Sequence, residues 1–302
     1  MAERLAPEKA PPRITSRPER RRGRVRRWGR RLVASILTLV LLAAGTLATG
    51  HFLAIHRSAQ EVRATALIPA ELPAKVLVVL ARPGQELPMA GTLAELEAGG
   101  AEVSVLALTR GEAQLPRIDD AGDRIAGIRA DELARSADLL GAEGASTAEF
   151  ADGQLLAADP AQVTARIAEA IRDSAASTVL TVSDQTGEDG DSQAVAAYTL
   201  AAAQGEGSGV ARVWTVTRGD RELSWNALLA EPRAELSVPE PQVAVRIDAQ
   251  TATKGEVALA HGTQSPELVR DTYPYADRVP AWAYFRFWDR EYFALAWGLP
   301  MG

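Results

Sequence analysis

The chain has 302 residues, enough for one globular domain of about 230 residues with attached segments. It contains no cysteine, which excludes disulfides and thiolate chemistry. The net charge of −6 is distributed unevenly along the chain. Residues 1–31 carry 12 Lys and Arg against 3 Asp and Glu, whereas the remaining residues together have a net negative charge. An acidic main body argues against nucleic acid as its ligand.

A basic segment and an apolar segment open the chain. Residues 1–31 are rich in Arg and Pro and poor in large apolar side chains, so we expect them to be disordered. Residues 32–55 contain no Asp, Glu, Lys or Arg and exceed the ~20 residues that cross a bilayer core. The preceding arginines predict a single-pass protein with a cytoplasmic N terminus and an extracytoplasmic domain. A cleavable secretory signal is the alternative, because Thr46-Leu47-Ala48 resembles a cleavage site.

The main domain follows a connector at residues 56–73 and is predicted over residues 74–297. Apolar runs at residues 76–80 and 103–108, separated by helical spacing, predict a βαβ unit and a Rossmann-like α/β fold with a mostly parallel sheet. Loops at the carboxyl ends of such strands collect the functional groups. Three further helices are predicted: one at residues 124–140, one that begins at Pro160, and one at residues 192–204 that is capped by Asp191. Three further strands are predicted at residues 146–151, 178–182 and 210–217.

Two strand-end loops carry a family resemblance. Residues 81–86 read Ala-Arg-Pro-Gly-Gln-Glu, and residues 108–112 read Leu-Thr-Arg-Gly-Glu. They resemble the Ala-His-Pro-Asp-Asp-Glu and Leu-Thr-Asp/Arg-Gly-Glu loops of the PIG-L/LmbE family of zinc-dependent N-acetylglucosaminyl deacetylases. The resemblance continues to about residue 293 through an Arg-x-x-Glu helix at residues 129–132, an Asp-Gly-x-Leu turn at 152–155 and a Lys…Ala-Leu…His-x-Thr-Gln segment at 254–264.

The resemblance also implies which residues stand at the family's site. The His and the second Asp of the first loop bind zinc in the family and the first Asp is the general base; here they are Arg82, Gln85 and Gly84. The family's His-Pro-Asp-His loop falls on residues 189–192, so that Ser192 replaces a zinc-binding His. The vestigial site therefore comprises Arg82, Gly84, Gln85, Glu86, Asp189, Asp191 and Ser192, and the candidate ligand-binding residues are Arg110, Glu112, Arg129, Asp152 and His261.

The supply of histidine limits any metal site. His51 and His56 lie in or beside the apolar segment, which leaves His261 for the domain, so the family's two-His site needs histidines from another chain. We therefore expect no cofactor and no zinc, and interpret His261 either as a residue that supports the site from behind its ligands or as a packing residue. Calcium could use the acidic loop, but the loop lacks the Gly and Glu positions of an EF-hand, and a helix-capping role is preferred for its acidic residues, Asp184, Glu188, Asp189 and Asp191.

The side-chain chemistry of Arg82 indicates what takes the place of the zinc ion at the vestigial site. A guanidinium is permanently charged and forks two hydrogen bonds to a carboxylate. If the fold is kept, Arg82 faces the acidic loop with Glu86 beside it, and it replaces the electrostatic role of the metal without its Lewis acidity.

Three function classes remain open. We favour a membrane-anchored pseudoenzyme that binds a saccharide or a protein partner at the cell envelope. The alternatives are an active deacetylase with a rearranged site and a structural envelope protein. The bilayer is an expected partner in each case. The aromatic residues of 282–297 could face sugar or membrane, but a terminal element that closes the core is the preferred interpretation.

Overall fold

The computed structural model describes residues 19–70, 74–114, 122–182, 189–219, 239–264, 284–286 and 288–299. It divides into two compact units, Met1–Leu53 and Ala54–Gly302. The predictions that concern residues 1–18, residues 71–73, Asp184, Glu188, residues 282–283 and Phe287 lie outside the described residues.

The first unit is dominated by helix α1, Glu19–Ser58. Its Arg30–Thr49 portion is exposed and is long and apolar enough to cross a membrane. The helix begins well before the apolar segment, so residues 19–31 are helical and not disordered as we expected. Arginine has a high helix propensity, and adding residues to a helix that is already nucleated is easy, which explains how the basic segment joins α1.

The second unit is built on an eight-stranded sheet in the order β1-β7-β8-β6-β5-β2-β3-β4. Neighbouring strands are parallel except at both edges of β8, which confirms the predicted mostly parallel α/β fold. The strands are β1 Gln60–Val62, β2 Lys75–Leu80, β3 Glu102–Thr109, β4 Gly144–Phe150, β5 Thr178–Thr181, β6 Arg212–Thr217, β7 Val243–Arg246 and β8 Arg290–Gly298.

Helices connect these strands and cover the sheet. The βαβ unit is confirmed, because β2 and β3 pair in parallel and α2 lies between them in the chain. Val78, Val79 and Leu80 of β2 have no exposed surface, as expected for a strand that is covered on both faces. The described helices of this unit are α2 Ala90–Ala98, α3 Gly122–Leu140, α4 Pro160–Ser174, α5 Gly190–Ala203 and α6 Thr251–Ala260.

The C-terminal aromatic segment contributes to the core. Strand β8 inserts between β6 and β7, and its Phe293 and Tyr292 are buried, as is Phe285 before it. For these residues the core-closing interpretation is confirmed, because their rings pack inside the domain.

The strand order places a crevice beside β2. From β2 the chain continues to β3 and β4 on one side, and later returns to β5 on the other side. Val79 of β2 lies opposite Thr181 at the end of β5, so the chain leaves these two strands at adjacent points. Such a change of direction opens a crevice at the carboxyl ends of the strands, and ligands of α/β proteins bind there.

Candidate functional site

An arginine and an aspartate join the two sides of this crevice. Arg82 follows β2, and Asp189 lies at the start of α5, which follows β5. Arg82 Nη2 donates to Asp189 Oδ2 at 2.6 Å, and Nη1 donates to Oδ1 at 3.3 Å. The two side chains keep only 17% and 25% of their surface exposed. The contact is thus a bidentate ion pair that is largely shielded from water.

Gln85 and Ser192 complete this group, which we call the Arg82 cluster: Arg82, Gln85, Asp189 and Ser192. Gln85 Nε2 donates to Ser192 Oγ at 2.8 Å and to Asp189 at 3.4 Å, while its Oε1 accepts from the backbone N–H of Ala81 at 2.9 Å. Ser192 Oγ donates to Asp189 Oδ2 at 2.6 Å. The structure therefore brings together the three positions that the resemblance assigns to zinc ligands, at 82, 85 and 192.

Asp189 is held in its charged form. Burial opposes ionisation, but the charge of Arg82 and hydrogen bonds from Ser192 and Arg82 outweigh it and lower the pKa of Asp189. The backbone N–H of Ser192 also donates to Asp189 at 3.2 Å, so Asp189 caps α5.

The expected capping role of Asp191 is wrong. Its carboxylate instead accepts from the backbone N–H groups of Gly153 at 2.6 Å and Leu155 at 2.9 Å. Asp191 lies inside the first turn of α5, where its side chain turns away from the helix end toward this neighbouring loop. It therefore fixes the turn at residues 152–155 against α5.

Glu86 points away from the Arg82 cluster, into the core. It is fully buried, accepts from Ser136 Oγ at 2.7 Å and from Gly84 N at 2.9 Å, and contacts His261 Nε2. Burial would raise the pKa of Glu86, but the charge of His261 and its hydrogen bond lower it. Burial would lower the pKa of His261, but Glu86 raises it. Each side chain therefore favours the charged form of the other, and His261 lies buried in the domain.

The other candidate ligand-binding residues differ in accessibility. Arg129 is 2% exposed and donates to the backbone oxygen of Gly111. Burial lowers the pKa of Arg129, although the negative charge of Asp152 acts in the opposite direction. Asp152 accepts from Thr109 Oγ1 and from Ala113 N, and burial raises its pKa. Glu112 accepts from the backbone of Asp152. These groups hold loops together.

Arg110 is the candidate that reaches solvent. It keeps 37% of its side-chain surface exposed, and its Nη2 lies 3.8 Å from a carboxylate oxygen of the fully exposed Asp123. The guanidinium of Arg110 is therefore partly exposed in the part of the chain that the structure describes.

Two tethers were not predicted, although Glu132, Lys254 and Thr263 belong to the resembling motifs. Glu291 accepts from the backbone N–H groups of Gly91 and Thr92 at the start of α2, and from Lys254 Nζ at 2.5 Å. Glu132 accepts from both the N–H and the hydroxyl of Thr263, each at 2.7 Å. The motifs could identify these residues, but only the fold shows that they pair.

The Arg82 cluster does not fit a zinc ion. Zinc sites use thiolates, imidazoles and carboxylates. The cluster offers one carboxylate, on Asp189, together with an amide, a hydroxyl and a guanidinium that is itself a cation. Within the described ranges, no group of three or more His, Asp or Glu side chains is placed to hold a metal.

Comparisons with known proteins agree with this architecture. A family model described as PIG-L, GlcNAc-PI de-N-acetylase, matches residues 77–203. The 1D-myo-inositol 2-acetamido-2-deoxy-alpha-D-glucopyranoside deacetylase of Rhodococcus jostii is 31% identical over 242 residues, covering 63% of this chain and 81% of that protein.

Solved structures share the fold at lower identity. The N,N'-diacetylchitobiose deacetylase of Pyrococcus horikoshii aligns with a TM-score of 0.57 and 17% identity, over 78% of this chain and 89% of its own. The 4-carboxy-2-hydroxymuconate hydratase of Pseudomonas putida aligns with a TM-score of 0.55 and 17% identity, over 74% and 97%. One fold thus serves a deacetylase and a hydratase, so the reaction must be argued from the site. On its sequence and its fold, the chain belongs to the PIG-L family.

Proposed function

We propose that this chain is a membrane-anchored, non-catalytic member of the PIG-L family that binds a saccharide at the cell envelope. The observation that carries the proposal is the ion pair between Arg82 and Asp189, at 2.6 Å, where the resemblance expects a zinc ligand. A cation of the chain itself stands where the family binds a metal.

Loss of the metal removes the family's route to hydrolysis. A bound zinc ion lowers the pKa of water from about 15.7 to about 7, and a carboxylate then accepts the proton. At the base position Gly84 offers no side chain, and its φ of +93° would strain an aspartate placed there. Arg82 repels an incoming cation, and Gln85 and Ser192 are weak ligands for zinc.

Retention of the surrounding scaffold supports a binding role. The buried pairs of Glu86 with His261 and of Lys254 with Glu291 hold the fold around the crevice. Arg110, which follows β3, keeps 37% of its side-chain surface exposed, and Arg82 and Asp189 keep 17% and 25%. Charged groups of both signs suit the hydroxyls of a sugar, and the Rhodococcus relative is named for an N-acetylglucosaminyl inositol substrate.

The N-terminal unit supports membrane anchoring. The Arg30–Thr49 part of α1 has the length and composition of a bilayer-spanning helix. The excess of arginine before it supports a cytoplasmic N terminus, which would place the α/β domain outside the cytoplasm.

The test uses the full-length protein in detergent. Zinc is quantified by mass spectrometry, acetate release is measured on the N-acetylglucosaminyl inositol and on diacetylchitobiose, and binding of the same sugars is measured by calorimetry. We expect zinc far below stoichiometry, no acetate and saturable binding. Stoichiometric zinc with chelator-sensitive acetate release would establish the active-deacetylase alternative. No sugar binding, with a specific envelope protein co-purifying, would transfer the binding role to a protein partner.

A further inference from the structure

We propose that Arg82 is a built-in cation which takes over the structural role of a metal. Its charge stabilises the residues around the crevice, and when Arg82 is removed the stability of the domain depends on an added cation. The inference rests on the proposed function in one respect, that the wild-type protein carries no zinc. It goes further in assigning to Arg82 the stability of the crevice, and in predicting a latent site for an added cation.

The first argument is the convergence of donors on one carboxylate. Asp189 accepts two hydrogen bonds from Arg82, one from Gln85 and two from Ser192. A carboxylate has about four lone-pair sites, so these contacts saturate Asp189. The Arg82 bonds are the charged ones, and they join the end of β2 to the start of α5 across the crevice.

The second argument is the charge of the surroundings. Asp152 and Asp191 are 6% and 4% exposed, and Asp191 accepts a hydrogen bond from the backbone N–H of Gly153, the residue after Asp152. The charge of Arg82 lowers the pKa of Asp189 and also counteracts the burial of Asp152. One guanidinium therefore compensates more than one carboxylate, which is what a divalent cation does at the carboxyl ends of strands.

The third argument is the geometry that the rest of the cluster imposes. Gln85 Oε1 accepts from the backbone N–H of Ala81 and Arg82, which fixes the loop that carries the guanidinium. Its Nε2 then points at Asp189 and Ser192. Replacing Arg82 by a small side chain would leave Asp189 facing a polar gap whose walls are already in place, and a small cation of matching shape can enter such a gap.

The experiment compares two arginine variants of the full-length protein by thermal unfolding. Arg82→Ala is matched with Arg166→Ala, because Arg166 also pairs with a carboxylate, Glu169 at 3.4 Å, but these two side chains are more exposed, at 30% and 54%. We expect Arg82→Ala to lower Tm by about 5 °C or more, and Arg166→Ala to change it by no more than about 2 °C.

Chemical rescue tests the cation directly. Guanidinium chloride at millimolar concentration, far below the molar range in which it denatures, should restore a large part of the loss in Arg82→Ala. The same concentration of sodium chloride should not, and neither salt should alter Arg166→Ala. Equal Tm values for the two arginine variants, or equal responses to the two salts, would overturn the proposal.

A double variant covers the case in which Arg82→Ala folds poorly. Asparagine caps helices well, so Asp189→Asn removes the charge and keeps the cap. If the uncompensated carboxylate is the cause, Arg82→Ala combined with Asp189→Asn is more stable than Arg82→Ala alone. A double variant that is less stable than the single one contradicts the assignment. Zinc found in the wild-type protein would instead refute the proposed function, and the Tm comparison reports on Arg82 independently.

Discussion

Replacing Lys254 with methionine should destabilise the α/β domain by about 3–5 kcal/mol, because the change leaves a buried carboxylate without its cation. Lys254 and Glu291 keep 1% of their side-chain surfaces exposed, and Nζ lies 2.5 Å from Oε1. Methionine preserves most of the buried chain length, so the loss reports the charge and not a cavity. Glu291 retains the N–H groups of Gly91 and Thr92, which places the cost nearer the lower figure.

A matched lysine provides the control. Lys75 forms a pair of similar length with Glu102, at 2.8 Å, but the two side chains are 42% and 32% exposed. A solvent-exposed pair of this kind contributes little to stability, so Lys75→Met should hardly change it. For a domain of this size the buried variant should lose roughly 6–20 °C in Tm. If both methionine variants melt within about 1 °C of each other in calorimetry, the buried tether does not stabilise the domain as argued.

Three further predictions follow from acidity, binding and topology. Asp189 has a lowered pKa in the folded state, so its stabilising contribution is present above about pH 4 and is lost as the pH falls through the folded value. Denaturation at a series of pH values should therefore show a shallower acid loss for Asp189→Asn than for the wild type; parallel curves would contradict this. Arg110→Ala should weaken saccharide binding by about tenfold while leaving Tm unchanged, since its guanidinium reaches solvent and one charged hydrogen bond is worth ~1.5 kcal/mol or more. Unaltered affinity would remove Arg110 from the binding surface. Protease added to intact spheroplasts should digest the α/β domain, and protection until lysis would refute the proposed orientation.

The parallel core of the fold could be predicted because its strands are buried on both faces. Continuous apolar runs of short length, such as that of β2, are typical of such strands, and the helical spacing after it identifies a crossover. The position of β8 could not be predicted. Its antiparallel insertion between β6 and β7 depends on pairing with strands distant in the chain, and local residue patterns carry no information on strand partners.

The site, like the fold, has features that could be predicted from the sequence and features that could not. The family resemblance implied that positions 82, 85 and 192 meet, and each of them follows a strand whose carboxyl end lies at the same edge of the sheet. It could not separate Asp189 from Asp191, since both lie at the start of one helix and either could cap it. Nor could it show that Glu86 turns inward to His261, because that contact joins residues far apart in the sequence and depends on how α6 packs against the core.

The metal content of two purified proteins tests the central claim most directly. The claim is that the positions of the Arg82 cluster still converge as a zinc site does, and that their side chains exclude the ion. Arg82→His, Gln85→Asp and Ser192→His together would recreate two imidazoles and one carboxylate at these positions, a ligand set that zinc accepts. After dialysis against micromolar zinc, mass spectrometry should find about one zinc per chain in the triple variant and almost none in the wild type. Stoichiometric zinc in the wild type, or none in a folded triple variant, would contradict the account.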